Sequence, residues 1–268
     1  MRYSNLFITG YDKKNKWMLD WFLKNFNEHC STPILPYDFD DFKTPIDGKT
    51  NWFKKPFAMI DASKQADKVC WIDLDCHVLG SIDDIFEYTS PNKLSMVEDV
   101  PWSKRRGETW HNSGMVLFQN RPNILDEWAS AVSINPQVGD QEVLHSLVKE
   151  GMRRLIHIES IPRKYNTLRL DKLDNTTPKK VLVMHWTGKK GKDKRSYGGR
   201  QNATKCPELG QLLYEWFIDC LQIFNARVDG PLFLSQAEYL KKRLIDAGYT
   251  PHQLPSMLGE VGNSWFRR

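Results

Sequence analysis

The segment with the densest chemical content is Trp71-Ile72-Asp73-Leu74-Asp75, an apolar run that ends in two acids separated by one residue. In an extended backbone, positions two apart point to the same side, so both carboxylates can address one cation. Hard oxygen donors suit Mg²⁺ or Mn²⁺ and leave coordination positions for substrate phosphates and water. Acids at a strand end serve equally well to cap the following turn, so the pair does not decide its own role. His185 adds weight. It closes the apolar run Val181-Leu182-Val183-Met184 and precedes Trp186-Thr187-Gly188 and a lysine-rich stretch. An imidazole beside two carboxylates moves the preference toward Mn²⁺, and adjacent lysines could neutralise a leaving diphosphate. A single histidine after a strand is more often structural; its combination with the acid pair carries the reading.

Elements of a particular kind must position these residues. Residues 5–9 read as a buried strand, broken by Gly10 before a helix whose apolar positions Trp17, Leu19, Trp21, Phe22 and Phe26 recur at roughly helical spacing. Residues 32–37 are expected to return as a second strand, and 57–66 as a helix entered through Pro56. Residues 69–72 form the strand that runs into the acid pair. Strands are expected at 94–97, 115–118, 155–158 and 181–185, with helices at 122–132 and from Asp140, a candidate N-cap, to Val148. Asn112-Ser113-Gly114 reads as either a turn or a site element. Residues 188–205 are rich in Lys, Gly and Ser, 208–224 form an amphipathic pattern, and 229–268 read as a separate helical tail.

The chain has 268 residues, 40% of them hydrophobic, which fits one large α/β domain with an appendage. The expected division is 1–228 for the catalytic body and 229–268 for the appendage. Five scattered cysteines, Cys30, Cys70, Cys76, Cys206 and Cys220, suggest neither a disulfide framework nor a zinc site. With no signal-type leader and no membrane-length apolar run, a cytoplasmic location is expected. The net charge of +5 is modest, and its clusters, Lys104-Arg105-Arg106 and residues 189–195 among them, suit phosphate groups or a solvated surface.

In their order along residues 3–195, several motifs resemble the GT-A glycosyltransferases, specifically the retaining group that includes glycogenin and bacterial lipopolysaccharide galactosyl- and glucosyltransferases. They are Phe7-Ile8-Thr9, Lys55-Pro56, Asp73-Leu74-Asp75, Asn112-Ser113-Gly114, Asp140-Gln141, Tyr165-Asn166 and His185-Trp186-Thr187-Gly188. The resemblance implies a mixed central sheet flanked by helices, with Asp73, Asp75 and His185 as metal ligands for Mn²⁺ (or Mg²⁺). It implies Thr9 and Tyr11 at the uridine base and Lys55 beside the donor sugar or diphosphate. Asn112, Asp140 and Gln141 would surround the transferred sugar. Three residues beyond Gly188, where the family has a phosphate-binding lysine, this sequence has Gly191; Lys190 and Lys192 flank it, and either is a candidate.

The function implied is transfer of a hexose, glucose or galactose, from a UDP-sugar with retention of configuration. An amide is a poor nucleophile, so Gln141 would orient or stabilise the positively charged sugar. The acceptor is open: a saccharide, a lipid-linked glycan, a protein or DNA. The tail loosely resembles a helix-turn-helix module of phage DNA-modifying enzymes, which would make a hydroxylated base the acceptor; a packing appendage explains it as well. A sugar nucleotidyltransferase, and a nucleic-acid-binding protein with an inactive transferase body, are the competing classes.

Overall fold

A computed structural model describes residues 2–47, 50–134 and 139–186 of the chain. All belong to the first of its two units, Met1–Thr187. The expected boundary at 228/229, the lysine-rich segment with Gly188, Lys190 and Lys192, and the helical tail lie outside the described residues.

The architecture is a mixed α/β layer structure, as the sequence led us to expect. Strands β1 (Tyr3–Tyr11), β2 (Ile34–Asp38), β3 (Ala66–Ile72), β5 (Leu94–Glu98), β6 (His111–Gln119) and β7 (Ile158–Ile161) form a six-stranded sheet in the order β2-β1-β3-β6-β5-β7. β2, β1 and β3 run parallel, while β6 is antiparallel to both of its neighbours. A smaller sheet, β4-β9-β8, joins β4 (Cys76–Val78), β9 (Val183–His185) and β8 (Thr167–Leu168). Helices α1 (Lys16–His29), α2 (Lys55–Ala62), α3 (Val100–Arg106), α4 (Asn123–Ile134), α5 (Asp140–Val148), α6 (Arg153–His157) and α7 (Arg169–Leu173) complete the described body.

The central strands are buried on both faces, which is why they read as continuous apolar runs. In β1, Leu6 and Ile8 join one core cluster, with Ala58, Met59, Trp128 and Leu144 from α2, α4 and α5. Phe7 joins the other, where Met18, Leu19, Phe22 and Phe26 form the inner stripe of α1. Phe7 makes edge contacts with both Phe26 and Phe86, at 4.9 Å between centroids in each case.

Two expectations are corrected, and one open reading is resolved. Residues 155–158 do not form one strand: α6 occupies Arg153–His157, and β7 begins at Ile158. Leu155 and Ile156 are exposed, so their apolar character does not report a buried strand. The N-cap of α5 is Gly139, and Asp140 is the first helical residue, leaving its carboxylate free for the site. Asn112-Ser113-Gly114 is not a turn but part of β6. Among the described residues, no helix is long and apolar enough to cross a membrane.

Candidate functional site

Asp73 and Asp75 follow the C-terminal end of β3, where parallel strands of open α/β sheets present their ligand sites. Thr9 and Tyr11 reach the same end on the neighbouring strand, since Ile8 is level with Trp71. Two backbone devices fix the acids. The Asp73 N–H donates to the Gly114 carbonyl at 2.8 Å, and the Trp186 N–H donates to the Asp75 carbonyl at 2.9 Å. β4 starts directly after Asp75, and its antiparallel register sets Cys76 opposite His185. A histidine 110 residues away is thereby brought to the acid pair, with Nε2 at 3.1 Å from Asp75 Oδ1 and 3.7 Å from Asp73 Oδ2.

β6 crosses beneath this corner with an irregularity. Met96 pairs with Val116, but the next residue, Val97, pairs with Asn112. Ser113, Gly114 and Met115 are thus looped away from β5, a bulge that re-aims the strand toward the end of β3. At Gly114 the approach is too close for a side chain: a Cβ there would lie 2.0 Å from His185 Cε1 and 2.8 Å from Asn112 Oδ1.

The proton positions follow from one unambiguous donor. The Gly114 N–H donates to Asn112 Oδ1 at 2.9 Å, which fixes the orientation of that amide. Asn166 Nδ2 must then be the group donating to the same oxygen at 2.9 Å, and Asn166 Oδ1 turns to His185. Both oxygens, Asn112 Oδ1 and Asn166 Oδ1, face His185 Nδ1 at 3.0 Å. Nδ1 therefore carries a proton, and the lone pair of a neutral His185 is on Nε2, facing Asp75. Two acceptors opposed at this distance need a proton or a cation between them.

That requirement is the fit test for a metal. Asp73, Asp75 and His185 each offer a ligand atom, and these atoms lie within 4.8 Å of one another. For an octahedral ion with ligands at roughly 2.1 Å, adjacent ligand atoms are separated by about 3 Å. The separations of 3.1 and 3.7 Å from His185 are of that size, and a second group orienting the far ring nitrogen is the usual support of a metal-binding imidazole. The residues fit a divalent cation.

Lys55, at the start of α2, organises the other half of the site. Its Nζ lies 2.9 Å from Asp140 Oδ2 and 3.2 Å from Asp73 Oδ1, and it also reaches the Ser113 carbonyl and hydroxyl. Burial pulls the ammonium toward deprotonation, but the Asp140 and Asp73 carboxylates outweigh it and hold its pKa above the ordinary lysine value. Asp73 Oδ1 takes a further bond from the Trp71 indole N–H at 2.6 Å. Gln141 uses its oxygen on the Ser113 N–H at 3.1 Å and on Asn112 Nδ2 at 3.0 Å. With Oε1 so engaged, the group left to address a ligand is the Nε2 amine.

Lys55, Asp73, Asp75, Asn112, Asp140, Gln141 and His185 thus share one connected network. Thr9 and Tyr11 stand apart from it. Thr9 is fully buried, with its hydroxyl lacking a partner among the described residues, and the Tyr11 hydroxyl is raised in pKa by burial and by Asp38. Sequence reasoning assigned no role to Trp71, Ser113, Gly114 or Asn166. The last three lie within quoted motifs, but what they do is visible only across elements.

Known structures share the fold. The glycosyltransferase GlyE of Streptococcus pneumoniae TIGR4, in its apo form, superposes with a TM-score of 0.52 at 17% identity, over 82% of this chain and 64% of that one. The apo structure of the bifunctional WbbM glycosyltransferase gives 0.50 at 10% identity, over 70% and 46% of the two chains. The galactosyltransferase LgtC in complex with donor and acceptor sugar analogs gives 0.49 at 15% identity, over 77% and 95%. The fold is GT-A. No family model matches the sequence, and no curated protein matches it.

Proposed function

We propose that this chain is a metal-dependent glycosyltransferase that moves a hexosyl group, glucose or galactose, from a UDP-sugar to an acceptor hydroxyl with retention of configuration. The observation that carries the reading is the convergence of Asp73, Asp75 and a His185 Nε2 freed by the Asn112–Asn166 lock, set against the Lys55–Asp140–Gln141 network on a GT-A fold.

In this reading Asp73, Asp75 and His185 hold Mn²⁺ or Mg²⁺. When bound, the cation supplies charge neutralisation and Lewis acidity to the diphosphate leaving group. Thr9 and Tyr11, at the end of β1 beside the acid pair, are assigned to the nucleobase. Lys55 keeps Asp73 and Asp140 at fixed positions, so that Asp140 and the Gln141 amide nitrogen can bind sugar hydroxyls, with Asn112 holding Gln141 in place. Gln141 acts as an orienting group, because both lone pairs of its oxygen are engaged. The bond from the anomeric carbon to the diphosphate oxygen breaks, and the electron pair leaves with UDP. The acceptor oxygen bonds to that carbon from the same face, and its proton passes to the departing diphosphate. Lys190 or Lys192, beyond Gly188, is proposed to face the diphosphate.

The test is a panel of UDP-glucose, UDP-galactose and GDP-mannose with Mn²⁺, Mg²⁺ or chelator, reading release of nucleoside diphosphate by the full chain. UDP release that requires metal and is lost in Asp75→Asn is expected. Release of pyrophosphate from a nucleoside triphosphate and a sugar phosphate would instead identify a nucleotidyltransferase.

A further inference from the structure

The basic triplet Lys104-Arg105-Arg106, which the donor site does not use, lies at the end of α3. This helix starts beside the site: Asp99 accepts the Trp102 N–H at 3.0 Å, and the Asp99 carboxylate, raised in pKa by burial, also bonds the Asn112 side chain. At its other end Gly107, with φ of 69°, turns the chain back, and Trp110 returns against α3 through the Ser103 hydroxyl at 2.8 Å. The Trp110 indole stacks on the His145 ring, with centroids 3.6 Å apart and planes 10° apart. Burial keeps His145 below the usual histidine pKa, which favours the neutral ring that stacks. His145 sits one helical turn after Gln141, on the same face of α5. Trp110 in turn links His145 to Trp102, which it meets edge-on at 6.4 Å.

The Arg106 guanidinium lies over the Trp102 ring at 4.9 Å and over Trp110 at 6.0 Å. Stacked in this way it is oriented, while the N–H donors in its plane stay open to an oxyanion. Arg105 is neutralised by both oxygens of Asp174, at 2.7 and 2.8 Å. Lys104 and Arg106 are exposed and have no carboxylate partner among the described residues.

We infer that Trp102 and Arg106, supported by Trp110 and His145, form the acceptor subsite, and that the acceptor is a saccharide bearing an oxyanion. The inference rests on the transferase reading of the neighbouring donor site. A half-buried indole face packs against the C–H surface of a sugar ring, whose polarised hydrogens meet the negative π cloud. Arg106 then holds a phosphate or carboxylate on that sugar. A strand of nucleic acid needs successive stacking platforms along a basic track; here His145 covers Trp110, which is only 6% exposed, and Asp174 has removed one of the three charges.

Saturation-transfer NMR on the full chain with glucose 6-phosphate, glucuronate and methyl glucoside reads the subsite directly. Both anionic sugars should bind roughly tenfold more tightly than the neutral one. Arg106→Gln should remove that preference, and Trp102→Leu should abolish saturation transfer to the ring protons of all three. Lys104→Gln, equally exposed but on the opposite side of α3, is the charge control and should keep the anionic preference, and the melting temperature checks that each variant is folded. A stronger response to glucose 6-phosphate assigns the anion as phosphate, and a stronger response to glucuronate as carboxylate. Equal binding of all three sugars, or an anionic preference that survives in Arg106→Gln, overturns the proposal. So does a DNA oligonucleotide whose steeply salt-dependent binding is lost in Arg106→Gln while the sugars are silent. Donor hydrolysis by the unmodified chain with no sugar present is scored separately: its absence beside intact sugar binding counts against the transferase reading and not against an anionic-sugar subsite.

Discussion

His185 is useful to a cation only if its proton is on the far nitrogen, and a chain of amide orientations beginning at the Gly114 N–H puts it there. In Asn112→Ala the Gly114 N–H loses its acceptor and Nδ1 keeps only Asn166. The affinity of UDP in the presence of Mn²⁺, measured by calorimetry, should fall about 10- to 100-fold, the usual cost of losing a group that orients a metal-binding imidazole. Nitrogen-15 spectra of the metal-free protein report the tautomer itself: the Nδ1–H form is expected for the native chain and a mixture for the variant. Identical spectra and affinities would remove Asn112 from this role. Lys55 offers a second measurement at this scale. Lys55→Met leaves Asp73 and Asp140 in a buried site without their cation, so unfolding in urea should show a loss of roughly 3–5 kcal/mol. Adding Asp140→Asn should restore part of it, because one uncompensated charge is then gone. A purely additive double variant would mean that the ion pair does not couple the two residues.

Among the elements, the β6 bulge does most to build the site. A regular strand would pair Met115, Gly114 and Ser113 with β5; instead they swing to the end of β3, where the Gly114 carbonyl takes the Asp73 N–H and Ser113 meets Lys55, Asp140 and Gln141. Backbone room at Gly114 is what admits His185, so Gly114→Ala should displace the imidazole and abolish the gain in UDP affinity that Mn²⁺ confers. UDP binding without metal should be reduced much less, since β1 lies on the far side of β3. If Mn²⁺ still enhances UDP binding in this variant, the close approach at Gly114 is not what positions His185. The small sheet is the counterpart of the bulge: β9 is three residues long, yet its pairing with β4 and β8 puts His185 level with Cys76 and Leu168.

For the molecule as a whole, the buried histidines set an acid limit to stability. His111 is held down to about 4, first by burial and then by Arg154 and His145, against an ordinary value of 6.5. The folded state therefore binds this proton less readily than the unfolded chain does. The contribution is complete above 6.5 and is lost as pH falls toward about 4, with a total on the order of 3 kcal/mol. His145, lowered in the same direction, adds to the same slope. Urea unfolding at about pH 7.5 and about pH 5 should show the native chain weaker at the lower pH, and His111→Asn should flatten part of the difference. A slope that does not change in the variant would assign the acid sensitivity to other groups.

What could be read in the sequence was local and periodic. Extended alternation suggested that Asp73 and Asp75 share a side, but the structure brings them together across a turn closed by the Cys76 N–H on the Asp73 carbonyl at 3.0 Å; two-sided burial made β1 and β3 continuous apolar runs. The helical spacing of Leu19, Phe22 and Phe26 marked the inner face of α1. The same kind of signal misread residues 155–158, because an apolar residue on an exposed helix looks like one in a buried strand until its neighbours are known. His185 was legible as a candidate, but not the Asn112 and Asn166 oxygens that fix its proton, nor the Lys55 ammonium shared by Asp73 and Asp140. Those contacts join residues 73, 19, 18 and 85 positions apart. A sequence pattern states which side a residue faces within its own element, and so it determined the layers and singled out the acid pair without its geometry. Which residue stands opposite is set by strand order, register and one bulge, and these are decided only when distant segments pack against one another.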